Sequence, residues 1–234
     1  RAVESILTQR SVEREILILI VNDGSTDNWR DVISDYLDDQ RIIIENVKFS
    51  KTYAVRNFIL DYIRKNIPDA EYIGRLDADD FIVDEYALSK IEKVIDLYEP
   101  DIIIAGNKQM LNNNIVGVNY ANKKLLNTEF LKTRLLQMAN GAIEGELPSC
   151  NVFVKPTVNV RYKDVESAED HWYIVELLLR KSCYKIYMAE EIIYSIYTLN
   201  GNLTKNNRKR NVYLKSRREL YNYFISKILR TEYE

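Results

Sequence analysis

Short, uninterrupted apolar runs alternate with helical patterns along the first half of the chain. Ile16-Leu17-Ile18-Leu19-Ile20 typifies the runs: it is too short for a buried helix and lacks the polar alternation of a half-exposed strand, so it predicts a strand covered on both faces. The same reasoning predicts strands over 15–21, 41–45, 71–76, 101–105, 115–120, 150–154, 184–188 and 192–197. Helices are predicted over 1–9, 28–38, 52–65, 84–98, 128–139, 168–181 and 208–229. Strand and helix alternate regularly up to Gly106 and less regularly beyond it, which predicts an α/β fold with a mixed, mainly parallel sheet between helices. Arg1-Ala2-Val3-Glu4-Ser5-Ile6-Leu7 already reads as the body of a helix, so the strand that would feed it is expected to be missing from the chain.

With 234 residues and 46% hydrophobic composition the chain suits one α/β domain, or a domain with an appendage. The pattern changes near residue 200, which divides a domain over 1–200 from a C-terminal helical tail over 201–234. The formal net charge of -2 hides an uneven split, because the tail carries +6 and the preceding 200 residues -8. Aromatic and aliphatic side chains (Tyr213, Leu220, Tyr221, Tyr223, Phe224, Ile225) are interleaved with the tail's cations. That tail predicts a helix packing its apolar stripe on the domain or on a second chain, with peripheral membrane contact as the other reading. The acidic domain argues against a nucleic-acid partner.

Cys150 and Cys183 lack metal-ligand spacing and read as reduced core thiols. No stretch approaches the roughly 20 apolar residues of a spanning helix, and no secretion signal opens the chain. A cytoplasmic protein, or one at the inner face of the cell membrane, is the expectation.

Two of the predicted strands end in acidic loops. Tyr72-Ile73-Gly74-Arg75-Leu76-Asp77-Ala78-Asp79-Asp80 places three carboxylates within four positions, where mutual repulsion favours a hard cation with oxygen ligands. A solvated acidic turn is the plainer account. Val21-Asn22-Asp23-Gly24-Ser25-Thr26-Asp27 is the second such loop. In open α/β sheets ligands bind beyond the carboxyl ends of strands, so both loops can face one pocket for a phosphorylated ligand. Asp27 or Ser25 also suits the cap of the helix starting near Asn28.

Together with Val3-Glu4-Ser5-Ile6-Leu7-Thr8-Gln9, Arg56-Asn57 and a later Glu169-Asp170, these loops follow an order and spacing that resembles the family 2 glycosyltransferases. The resemblance implies the GT-A fold and inverting transfer of a single sugar from a nucleotide-diphosphate sugar, with UDP as the expected nucleotide. The implied acceptor is a hydroxyl of a glycan or lipid-linked glycan, in bacterial surface polysaccharide synthesis. It casts Asp23 on the base, Asp77 on ribose or metal-bound water, Asp79 on Mn2+ or Mg2+, and Asp170 as the base that takes the acceptor's proton. Partial burial under Trp172 is expected to raise the Asp170 pKa. Arg56 suits either donor phosphate or an ion pair at the sheet edge. Asp80 is a further candidate ligand or helix-side cap, and Glu169 and the only histidine, His171, are further candidates beside Asp170. Glu169 and Asp170 also suit a helix first turn without chemistry. No Gln-x-x-Arg-Trp sequence of processive synthases occurs, which favours single additions. Two rival readings stand: an aspartate-dependent phosphoryl-transfer enzyme, for which Asp77-Ala78-Asp79 would hold the nucleophile, and a non-catalytic nucleotide-sugar-binding module.

Overall fold

The computed structural model describes residues 1–140, 147, 151–199 and 212–231. Its helices are α1 (Ala2–Leu7), α2 (Trp29–Val32), α3 (Thr52–Asn66), α4 (Ala87–Tyr98), α5 (Thr128–Ala139), α6 (Glu169–Leu179) and α7 (Val212–Thr231). Its strands are β1 (Ile18–Asp23), β2 (Ile42–Val47), β3 (Phe81–Ile82), β4 (Ile102–Leu111), β5 (Asn114–Asn119), β6 (Val152–Val154) and β7 (Ile186–Thr198).

The α/β architecture expected from the pattern is present, and β4 is its spine. Ile102 and Ile104 point into one core, packed by α5, α6 and α7, while Ile103 and Ala105 point into a second core against α4. None of the four is accessible to solvent. Burying an isoleucine fully is worth roughly 1.5–3 kcal/mol, so this strand anchors both layers.

The sheet carries fewer parallel pairs than expected. β1 and β2 form a separate parallel pair, and β4 pairs with β7 in parallel, but β3–β7, β4–β5 and β4–β6 are antiparallel. One cause is local: Asn112 and Asn113 both adopt positive φ and close a two-residue hairpin between β4 and β5. That backbone twist suits adjacent antiparallel strands, and asparagine tolerates it.

Three elements depart from the sequence expectation for visible reasons. Residues 71–76 are not a strand; only Ile73 bridges Val154, because Phe153 packs where a Cβ on Gly74 would lie and Arg75 turns toward Asp77. The strands expected over 184–188 and 192–197 are one strand, β7, with a bulge after Ala189 that puts Glu190 and Glu191 inside an apolar pattern. The helix expected over 28–38 shortens to α2 followed by a 3-10 turn over Ser34–Tyr36.

Cys183 is exposed, not a core thiol: it sits in the turn after α6. Cys150, and the change of pattern near residue 200, lie outside the described residues. Beyond them α7 buries Leu220, Tyr221, Phe224 and Ile228 in the same core as α5 and α6, so its apolar stripe rests on the domain. Among the described residues no helix is long and apolar enough to cross a membrane.

Candidate active site

Asp23 ends β1, and its Oδ1 accepts the backbone N–H groups of Phe49 and Ser50 at 2.6 and 3.1 Å. Those residues precede Lys51, the N-cap of α3, so the first acidic loop is tied to the segment that enters that helix. Gly24 follows with φ of 72°, a left-handed turn that glycine adopts without strain. The turn bond of this loop belongs to Asn22, whose Oδ1 accepts from Ser25 N at 2.9 Å and whose amide donates to Asn46 Oδ1. Neither Asp27 nor Ser25 caps α2, whose N-cap residue Asn28 makes no side-chain bond.

The second acidic loop splits its three carboxylates into different environments. Asp77 lies 3.4 Å from Arg75 Nε and 3.5 Å from Arg56 Nη2. Burial alone would raise its carboxyl, but the two guanidinium groups outweigh burial and hold it below the usual range. Asp79 is exposed; partial desolvation and the negative charge of Asp77 raise its pKa. Asp80 is buried, and burial pushes its carboxyl up to about 7. Its Oδ1 accepts from Thr198 N at 2.8 Å at the end of β7, while Oδ2 is buried without a hydrogen-bond partner. Asp80 therefore ties the acidic loop to β7 instead of capping α4, which begins at Ala87 after Tyr86.

Arg56 joins this loop to the start of α6. Its Nη1 donates to Glu169 Oε1 at 2.6 Å while Nη2 faces Asp77, and its side chain is only 10% exposed. The adjacent Asn57 clamps the chain that leads into α6: its amide donates to Tyr162 O and its Oδ1 accepts from Tyr162 N, both at 2.9 Å. Of the two readings of Arg56, the structure displays the ion pair.

α6 begins abruptly, after Ala168 at φ of 67°, without a capping side chain. Its first turn carries Glu169 and Asp170, where the helix dipole favours negative charge. Burial raises Glu169 despite Arg56. Asp170 moves the other way. Burial would raise it, but His171, Arg56, Arg75 and Arg217 together outweigh burial and keep it well below the usual carboxylate range. The upward shift expected from Trp172 is thus reversed by cations from three separate segments. The two adjacent carboxylates are thus pushed apart, Glu169 upward and Asp170 downward.

His171 is buried, with Nδ1 2.9 Å from Tyr221 Oη and Nε2 3.4 Å from Arg217 Nη2. Burial pushes its pKa down to about 4, so the ring is neutral at pH 7.

Among the described residues no three His, Cys, Asp or Glu side chains are arranged to hold a metal alone. The donor set nonetheless fits a hard cation shared with a ligand's phosphates, which needs only one or two protein carboxylates. Asp79 offers an exposed carboxylate, and the adjacent Asp80 offers a buried oxygen without a partner.

Sequence reasoning missed Arg75 and Arg217. Arg75 carried a signal, being a cation inside an otherwise apolar segment two residues before Asp77. Arg217 carried none, since it is one of nine cations in the tail.

A mixed sheet flanked by helices, with acidic loops gathered around α3, defines a GT-A nucleotide-sugar transferase fold. Solved structures of S. aureus TarS share it. TarS 1–349 in complex with UDP matches 88% of this chain and 57% of that one, with a TM-score of 0.61 at 16% identity. A second TarS 1–349 structure matches 84% and 55%, with a TM-score of 0.62 at 19% identity. The model of glycosyl transferase family 2 matches residues 1–152, and the chain belongs to that family. An uncharacterized glycosyltransferase of Mycoplasma genitalium, MG025, is 34% identical over 116 residues, which are 49% of this chain and 36% of that protein. The chain thus spans about a third of the length of this curated relative.

Proposed function

We propose that this chain binds a UDP-sugar and transfers its sugar, with inversion, to a hydroxyl of a glycan or lipid-linked glycan in bacterial surface polysaccharide synthesis. The observation that carries the reading is the bridge made by Arg56, which places the Asp77–Asp80 loop and the Asp170 helix on one assembly. The UDP named in the TarS structure's title supports the choice of nucleotide.

Asp23 receives the base and Asp77 the ribose side of the donor. Asp79, with Asp80 beside it, would hold Mn2+ or Mg2+, which would neutralise charge building on the departing diphosphate. Asp170 takes the proton from the acceptor hydroxyl as its oxygen bonds to the anomeric carbon. The bond from that carbon to the phosphate oxygen breaks, and its electron pair leaves with UDP. Asp170 is ionised, and the cations around it make it a weak base. A donor diphosphate engaging Arg56 and Arg75 would draw on their charge and raise the proton affinity of Asp170. Glu169 keeps Arg56 in place, and His171 acts from behind the helix.

Asp170→Asn tests the assignment. Donor and Mn2+ binding are expected to remain nearly intact while transfer falls by a factor on the order of 10²–10⁴, the usual contribution of a general base. Full transfer in that variant would discard Asp170 as the base.

A further inference from the structure

α7 meets α6 along three successive turns. His171 bonds Tyr221 and Arg217, Trp172 packs on Tyr223 and Phe224 with ring centroids 4.7 Å apart in both cases, and Glu176 pairs with Lys227 at 2.9 Å. The His171 and Trp172 contacts fall on the turn that carries Asp170.

The contact to Arg217 orders the hydrogen bonding at His171. A guanidinium only donates, so Nε2 is the acceptor toward Arg217 and the neutral ring carries its proton on Nδ1, donating to Tyr221 Oη. The backbone N–H of the same residue donates to Asp170 Oδ1 at 2.8 Å. The ring of His171 is therefore gripped by α7 while its amide grips the carboxylate. From these contacts we infer that α7 is part of the active site, and that Arg217 and Tyr221, acting through His171, position the Asp170 carboxylate. The role of the basic helix is then to complete the site from behind.

The inference rests on the reading of Asp170 as the base. The groups that face Asp170 come from every neighbouring segment: Arg56 from α3, Arg75 and Asp77 from the acidic loop, Tyr162 from the chain before α6, Glu169 and His171 from α6 itself, and Arg217 from α7. Because Arg56 and Arg75 stay in place, removing the charge at Arg217 should move Asp170 by only the lower end of a neighbouring-charge effect.

The test is the ¹³C chemical shift of the Asp170 carboxyl carbon at pH 7 in the free protein, assigned by loss of the signal in Asp170→Asn. Arg217→Gln is expected to shift the Asp170 carboxyl signal, and Arg217→Lys to restore it. Tyr221→Phe, which keeps the packed ring and removes only the hydroxyl, is expected to shift the His171 ring nitrogen signals and the Asp170 carboxyl signal together. A Tyr221→Phe protein that melts like the parent yet shows these shifts separates positioning from stability. An Asp170 carboxyl signal unchanged in both Arg217→Gln and Tyr221→Phe overturns the inference. The two failures are distinguishable: unchanged NMR behaviour overturns the clasp, whereas full transfer by Asp170→Asn overturns the role of the carboxylate it holds.

Discussion

Replacing Arg56 with methionine keeps much of the side chain's length and removes the charge that joins two acidic segments. In the parent, Arg56 reaches Glu169 at 2.6 Å and Asp77 at 3.5 Å, with the Arg56 and Glu169 side chains 10% and 12% exposed. Removing one partner of a buried pair leaves an uncompensated charge and costs about 3–5 kcal/mol. Asp77 keeps Arg75, so the cost falls mainly on Glu169. That carboxyl is already raised by burial, and losing Arg56 raises it further. An acid whose folded pKa lies above its unfolded value contributes most at low pH and loses that contribution as pH rises through the folded pKa. The penalty of Arg56→Met should therefore be smaller at acid pH, where Glu169 takes up a proton, and approach about 3–5 kcal/mol at alkaline pH. In a chain of this size that corresponds to a fall in Tm of roughly 6–20 °C. Urea denaturation followed by circular dichroism at several pH values measures it, and Arg56→Met/Glu169→Gln should recover most of the loss at pH 8. A penalty under about 1 kcal/mol that does not vary with pH would refute the claim that this pair bridges the site.

Two further outcomes follow from the packing and from His171. Its pKa falls from 6.5 to about 4 on folding, so the unfolded chain binds the proton first, and stability is full above about pH 6.5 and declines as pH drops toward 4. The loss reaches about 3 kcal/mol at most, and His171→Leu should flatten that part of the urea-denaturation profile. Gly106→Ala puts a Cβ 2.5 Å from the Asn119 carbonyl oxygen and 2.8 Å from Ile193 Cδ1, so calorimetry should show a destabilisation of about 1–3 kcal/mol from overpacking.

What was legible in the sequence was what neighbouring residues decide. α5 occupies the expected residues 128–139, because Asn127 caps it through a bond from Phe130 N and the apolar spacing continues to Ala139. The three carboxylates at Asp77, Asp79 and Asp80 stood out because like charges at that spacing call for a reason. What escaped was decided across the fold. Arg56 and Glu169 are 113 residues apart, and nothing near Arg56 names its partners. The sign of the Asp170 shift depends on four cationic or ring groups brought by α3, the acidic loop, α6 and α7, whereas local reasoning saw only the indole of Trp172. The single strand β7 read as two because its bulge holds Glu190 and Glu191, a feature that pairing with β4 accommodates and a one-dimensional pattern cannot reveal. The partition of α7 followed the same logic: composition displayed its cations, but burial of Leu220, Tyr221 and Phe224 decides where it sits.

The measurement that bears most directly on the account is the thermal stability of the chain with UDP, with and without Mn2+, in the parent and in Asp79→Asn. A ligand at 100 times its Kd stabilises by about 2.7 kcal/mol, so UDP with Mn2+ should raise Tm by roughly 5–10 °C in the parent, with little rise when Mn2+ is left out. In Asp79→Asn the dependence on Mn2+ should disappear. A parent protein indifferent to UDP with or without Mn2+, or an Asp79→Asn variant with undiminished metal-dependent stabilisation, would contradict the proposed site.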